Sequence, residues 1–256
     1  MKNVINRIAL VTGAAGGIGS AICERFISDV DALVLVDIDQ NKLDDLHKKL
    51  QSKSAIPVIS QYCDVGDSNS VETMLVKVTE KVGTPNIIIN NAGIGGPFHR
   101  VDEVSDDEWY KIINTNLKSI FNLSKFLLPS MKHQNYGRIV NIASAQGYLG
   151  AALSSTYVAS KHGVIGYTRA IAAEWGKYGI TCNAVCPGYV DTAQGVQDDK
   201  VTDHHKNIIL KTPTGRIAKP QEIANIVLHL IKDESSFING SILTIDGGLT
   251  CHVGVS

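Results

Sequence analysis

RIALVTGAAGGIG, residues Arg7–Gly19, decides the fold. Its first half, RIALVT, is a short aliphatic run with β character, and a helical pattern follows from about Gly17 to Ser28. Between them lies a glycine-rich turn. A strand that passes through such a turn into a helix aims backbone N–H groups and the helix's positive end at one point, which suits a pyrophosphate. GxGxxG is absent. The turn fits TGxxxGxG through Gly13, Gly17 and Gly19, with Ile18 between the last two, and it also fits TGxxGxxG through Gly13, Gly16 and Gly19.

Strand-like and helix-like stretches alternate through the rest of the chain. The further candidate strands are ALVLVD (32–37), IPVISQYCD (56–64), NIIIN (86–90), GRIVNIA (137–143), ITCNAVC (180–186) and SILTID (241–246). Several are near-continuous apolar runs, as expected of strands covered on both faces. Seven strands alternating with helices predict an α/β fold with a parallel sheet and helices on both sides. No repeat or linker divides the chain, so one domain is expected over 1–256. The polar stretch of about Thr192–Arg216 is the least regular part, and its length points to a substrate lid.

Composition narrows the function. The chain has 256 residues, 44% hydrophobic and 19% charged, which marks a globular protein able to bury a core. The formal net charge of −1 lacks the basic footprint of a nucleic-acid binder. Apolar runs such as Ala32–Val36 are too short to cross a bilayer, and MKNVINRIALVTG carries no secretory signal pattern. The five cysteines form no CxxC pair and read as buried thiols of a reducing compartment; a cytoplasmic protein without a metal site is expected. The His204-His205 cluster reads as a solvated face.

Asp37 ends the second strand, 18 residues after Gly19, where a dinucleotide fold places an acid. A carboxylate there accepts hydrogen bonds from adenosine ribose hydroxyls and repels a 2′-phosphate. No Arg or Lys occurs within 13–19 or at Ile38, so NAD is favoured over NADP. Asp37 can also serve as a cap for the next helix.

In SSTYVASKHG (154–163), Tyr157 and Lys161 sit four residues apart and share a helix face. Alone, such a pair is most often an ordinary surface contact. The company it keeps changes that reading. TGAAGGIG, Asp37, CDV (63–65), NNAG (90–93), Asn116 in NTNLKSIF, Ser144, Tyr157 with Lys161, PGYVDT (187–192) and NGSILTIDGG occur in order over essentially the whole length. In these features the chain resembles the short-chain dehydrogenase/reductase family. Only about 95 residues follow Lys161, which leaves little room for the extra substrate domain of the extended sugar-nucleotide branch.

The resemblance implies a Rossmann-like doubly wound fold with NAD(P)-dependent oxidation or reduction at an alcohol or carbonyl carbon. It implies Asp64 and Val65 around the adenine, and Asn91, Ala92 and Gly93 along the cofactor. Pro187, Gly188, Val190 and Thr192 are implied at the nicotinamide end, and Asn116 as a helix-kinking residue that holds a water near Lys161. Reduction of a ketone requires a hydride and a proton. Tyr157 is the candidate acid/base; Lys161 and an oxidised nicotinamide favour its phenolate and lower its pKa. Lys161 can also hold the nicotinamide ribose. Ser144, 13 residues before Tyr157 at a strand end, can hydrogen-bond the substrate oxygen.

Substrate walls are expected from Gly95–His99, Ala145–Leu149 (Gln146 and Tyr148 included), Ser154 and Tyr189, with His99 or Arg100 available for a carboxylate. A small-molecule secondary alcohol or ketone fits, as does a 3-oxoacyl thioester. The chain also resembles 3-oxoacyl-carrier-protein reductases, and an acetoacetyl-CoA reductase is the related alternative. A non-enzymatic dinucleotide sensor or scaffold is the reading of another class, opposed by the presence of Ser144, Tyr157 and Lys161 together. The resemblance implies a homodimer or homotetramer through the apolar faces at Asp106–Met131 and Thr156–Tyr178.

Overall fold

The structure, a computed structural model, describes residues 6–96, 98–192 and 203–251. Seven parallel strands form one sheet: β1 (Ile8–Thr12), β2 (Ala32–Asp37), β3 (Val58–Tyr62), β4 (Ile87–Asn90), β5 (Gly137–Ile142), β6 (Ile180–Pro187) and β7 (Ile242–Ile245). Their order is β3-β2-β1-β4-β5-β6-β7. The strand order therefore reverses between β1 and β4, the place where open α/β sheets bind ligands. All seven candidate strands are present.

The apolar runs are continuous because each strand feeds two cores. Ala9 and Val11 of β1, Leu33 and Leu35 of β2, and Ile87 and Ile89 of β4 enter one core with α1 (Gly17–Phe26), α2 (Gln40–Gln51) and α8 (Pro220–Ile231). Leu10, Val34 and Ile88 point the other way, into a core with α3 (Ser68–Val82), α5 (Ser119–Gln134) and α6 (Ser155–Trp175). Residues two apart share a face, so an unbroken aliphatic run satisfies both layers.

Local chemistry starts the helices. Asp39 caps α2 by accepting from Lys42 N–H, and Asp67 caps α3 by accepting from Asn69 N–H. A reciprocal Ser105–Glu108 capping box opens α4 (Asp106–Ile113), and α8 begins on Pro220. Between α4 and α5, residues Asn114–Lys118 form a π segment around Asn116, the residue to which the resemblance gives a helix-kinking role.

The stretch read as a lid differs from expectation. Residues 193–202 lie outside the described residues, whereas Asp203–Lys211 forms α7, a helix hidden from sequence by its polar composition. The side chains of His204 and His205 also lie outside the described residues. Val190 and Ala218 form a bridge that ties the two ends of this connector together. Cys23, Cys63, Cys182 and Cys186 are buried as expected, but Cys251 is exposed, since it lies past the last strand. Among the described residues no helix is long and apolar enough to cross a membrane.

Candidate active site

A cleft of about 570 Å³ lies beyond the C-terminal ends of β1, β2 and β4. Gly13, Gly17, Ile18, Asp37, Asp64 and Val65 line it, as do Asn91, Ala92, Gly93 and Thr192, so ten of the expected cofactor residues converge.

The turn fits a pyrophosphate for steric reasons. Gly13 has φ +60°, and a Cβ there would stand 2.9 Å from Ala92 Cα. Gly19 does not line the cleft. A Cβ on it would fall 2.1 Å from Gly13 O, so its role is to let α1 approach the turn. Asn91 holds the arrangement: its Nδ2 donates to Thr12 O (3.0 Å) and Gly13 O (2.9 Å). Thr12, which sequence reasoning passed over, accepts at Oγ1 from the N–H groups of Asn91 and Ala92 (3.0 Å each). Its signal is a hydroxyl at the end of an apolar strand.

Asp37 faces the cleft and is held by backbone. Its Oδ2 accepts from Ala15 N–H (2.9 Å), and its Oδ1 from Ile38 N–H (2.8 Å) and Asp39 N–H (3.0 Å). Three of about four acceptor positions of the carboxylate are thereby used, and one remains for a ribose hydroxyl. These residues fit a nicotinamide dinucleotide.

Helix α6 delivers the second half of the site. Tyr157 is half-buried and Lys161 fully buried, with Lys161 Nζ 5.6 Å from the centre of the Tyr157 ring. Lys161 Nζ donates to Ile142 O (2.8 Å) at the end of β5, a backbone partner that no sequence motif reveals. Asn116 is buried in the π segment. Its Oδ1 accepts from Ile94 N–H (2.8 Å), and its Nδ2 donates to Ile94 O (3.0 Å) and to Ser160 Oγ (3.1 Å). Ser160 Oγ in turn donates to Tyr157 O (2.7 Å). Asn116 thus staples the loop after β4 to the turn of helix carrying Tyr157. A Cβ on Gly93 would lie 3.4 Å from Asn116 Oδ1 and 3.5 Å from Lys161 Nζ, so the cleft runs directly into this cluster.

Burial pushes the Tyr157 phenol above its ordinary value, and the nearby Ser144 hydroxyl partly offsets this. The expected lowering by Lys161 is absent from the protein alone. Burial also brings the Lys161 ammonium down to about 8, while the adjacent Cys186 opposes that fall. Desolvation disfavours both charged forms and is the larger cause for each.

One expected outcome concerns Lys161 itself. Its pKa is 10.5 when unperturbed and about 8 in the fold. Between those values the unfolded chain holds the extra proton, so this lysine makes folding stability rise with pH from about 8 to 10.5 and flattens it outside that window. Thermal unfolding of wild type and Lys161→Met across that range should show the wild type gaining relative stability. Parallel curves would remove the buried ammonium.

Other expected site residues are placed differently. Gln146 N–H donates to Ser144 Oγ (3.2 Å), so its backbone positions Ser144. Tyr148 Oη donates to Ile242 O (3.3 Å) on β7. Pro187 is registered with Ile245, Gly188 N–H donates to Ile245 O (3.0 Å), and Val190 packs on the core; none of the three lines the cleft. His99 Nδ1 lies 3.5 Å from Glu108 Oε1, and Arg100 pairs with Asp102, so both expected anion-binders already face acids.

The family described as Enoyl-(Acyl carrier protein) reductase matches residues 13–250. The chain is 35% identical over 244 residues to a 3-oxoacyl-(acyl-carrier-protein) reductase of Thermotoga maritima, covering 95% of this chain and 97% of that one. Among solved structures it is similar to a levodione reductase, with TM-score 0.90 and 31% identity over 96% of this chain and 98% of that one. It is also similar to an actinorhodin polyketide ketoreductase with NADPH, with TM-score 0.89 and 32% identity over 96% and 98%.

Proposed function

Since the chain belongs to the short-chain dehydrogenase/reductase family, and is therefore a nicotinamide-dependent oxidoreductase acting on hydroxyl or keto groups, we propose that it uses NAD(H) to interconvert a secondary alcohol and a ketone, with Tyr157 as the acid/base. The observation that carries this reading is the continuity at Gly93, where the dinucleotide-shaped cleft meets Lys161 and Asn116.

When bound, the nicotinamide supplies or accepts the hydride. Everything else falls to side chains. Tyr157 Oη gives its proton to the carbonyl oxygen during reduction and takes it back during oxidation. Ser144 Oγ hydrogen-bonds the same oxygen and steadies its developing charge. Lys161, when protonated, stabilises the phenolate left behind. Asn116 holds the helix turn and the Ile94 loop in register, so the proton donor is fixed before substrate arrives.

Asp37 supports NAD, because its carboxylate lines the cleft, is held by backbone N–H groups and would repel a 2′-phosphate. Exposed Trp109, Tyr110 and Phe121 around α4 and α5 support a symmetric dimer or tetramer through that face. A 3-oxoacyl thioester is the second substrate reading; the similarity to the Thermotoga maritima enzyme supports it.

The test is a steady-state screen of NADH and NADPH against diketones, sugars, hydroxy acids and acetoacetyl thioesters. NADH-linked turnover of at least one ketone is expected. A clear preference for NADPH would overturn the reading of Asp37. Binding of NADH with no turnover in any class would favour a dinucleotide sensor.

A further inference from the structure

A strained residue stands just before α6. Leu153 has φ +62°. It is the third residue of the turn that Ser154 N–H closes on Ala151 O (3.3 Å), a place where positive φ calls for glycine. In that conformation the Cβ of any other residue crowds the backbone. Elsewhere among the described residues the chain meets the same need with glycine at eight positions and with Asn135 at the C-terminal cap of α5. Leu153 is the exception. Burial does not account for it, since the residue is 46% exposed. A strained backbone that core packing does not require points to a function.

The side chain supplies one. A second cavity, of about 10 Å³, is lined by α4, the loop after β4 and the start of α6. It has room for one group the size of a water or a methyl. Val104, Ile112 and Leu153 are its apolar walls, Gly95 adds no side chain, and the first residues of α6, Tyr157 among them, complete it. Glu108 also lines it, but that carboxylate is engaged: Oε2 accepts from Ser105 N–H (2.9 Å) and Ser105 Oγ (3.1 Å), and Oε1 lies 3.5 Å from His99 Nδ1.

We propose that Leu153 is a specificity-determining residue, which narrows the cavity beside Tyr157 to a single carbon, so that the substrate is a methyl ketone or the methyl carbinol formed from it. The proposal rests on Tyr157 as the acid/base and deepens that reading by naming the smaller substituent of the carbonyl. Glycine would satisfy the turn without strain, but it would leave the wall open. Leucine closes the wall and accepts the strain. Among 3-oxoacyl thioesters the same wall selects the acetoacetyl group, whose keto carbon carries a methyl.

Two isomeric diketones test this. 2,3-Hexanedione carries a methyl on one carbonyl, whereas 3,4-hexanedione carries an ethyl on both. NADH-linked reduction of each would be measured with full-length wild type, Leu153→Ala, Leu153→Gly and Leu153→Met, alongside thermal unfolding. Wild type should prefer 2,3-hexanedione by about 10-fold or more in kcat/KM, the scale of one methylene in a tight pocket. Leu153→Ala and Leu153→Gly should each lower that preference about 10-fold, chiefly by raising kcat/KM for 3,4-hexanedione. Leu153→Met keeps the volume and should leave the preference within about twofold. Only Leu153→Gly removes the strain, so it should melt about 2–4 °C above Leu153→Ala.

An unmoved preference in the alanine and glycine variants overturns the proposal, as does a wild type that reduces the two isomers equally or reduces neither. A glycine variant that melts no higher than the alanine variant overturns it too, because the strain is then absent. If Leu153→Gly fails to fold, the alanine and methionine variants decide on preference alone. If Tyr157→Phe retains turnover, the reading of Tyr157 falls first and the inference falls with it; if Tyr157→Phe is inactive while the preference stays fixed, only the inference falls.

Discussion

Tyr157→Phe is expected to cut kcat by about 10²–10⁴-fold, the range that a positioned general acid or base supplies, while leaving the NADH dissociation constant within about twofold of wild type, since a ground-state contact of the ring is retained. The ring is what Lys161 packs against, with Nζ 5.6 Å from its centre, and phenylalanine keeps it. Only the hydroxyl leaves. The backbone of Tyr157 still accepts from Ser160 Oγ, so the Asn116–Ser160 staple survives the change. Loss of turnover with intact binding therefore isolates the proton. Burial already raises the phenol's pKa, so a reduction that draws on the protonated phenol should run across neutral pH. Paired measurements of ketone reduction and NADH fluorescence quenching on both proteins would show this. Turnover within tenfold of wild type would remove Tyr157 from the chemistry.

What could be read from the sequence divides along a physical line. Strands covered on both faces are mostly apolar, so β1, β2 and β4 announce themselves as aliphatic runs, and β5 and β6 as shorter ones broken by buried polar residues. The glycines at 13, 17 and 19 are legible because a pyrophosphate turn tolerates little else. Contacts made by backbone acceptors are not legible. Ile142 O and Ile94 O hold Lys161 and Asn116, and any residue could supply them. The π segment is hidden from periodicity, since NTNLK differs from its neighbours in none, and only the resemblance pointed to a kink at Asn116. Buried amides were a missed signal: Asn90 and Asn141 are directly registered on β4 and β5, and Asn90 Nδ2 donates to Asn141 Oδ1 (2.7 Å). An asparagine at the end of an apolar run seeks a partner on the next strand. Lys42 was missed because four residues separate it from Asp37, although the first turn of α2 brings it to the same wall.

The second large effect is expected at Gly19, and it tests the fold and the cofactor site together. An added Cβ would fall 2.1 Å from Gly13 O, 2.8 Å from Asn91 Nδ2 and 2.9 Å from Ala14 Cα. Flexible side chains yield to such a methyl, but these neighbours cannot. Gly13 O is pinned by two donors, Gly16 N–H at 3.2 Å and Asn91 Nδ2 at 2.9 Å. Helix α1 must then back away from the turn, and the N–H groups it aims at the cleft move with it. Gly19→Ala should cost about 2–4 kcal/mol of stability, the scale of a severe core overpacking, and weaken NADH binding by about 100-fold or more through lost anion contacts. Gly166→Ala supplies the opposite sign. It lies within α6 with open space where its Cβ would go, so alanine there should stabilise by about 1 kcal/mol through helix propensity alone. Thermal unfolding and NADH titration of the two variants share one chemical change, a methyl on a helical glycine. If both variants melt with wild type, or if Gly19→Ala binds NADH normally, then close approach of α1 to the turn is not what builds the site.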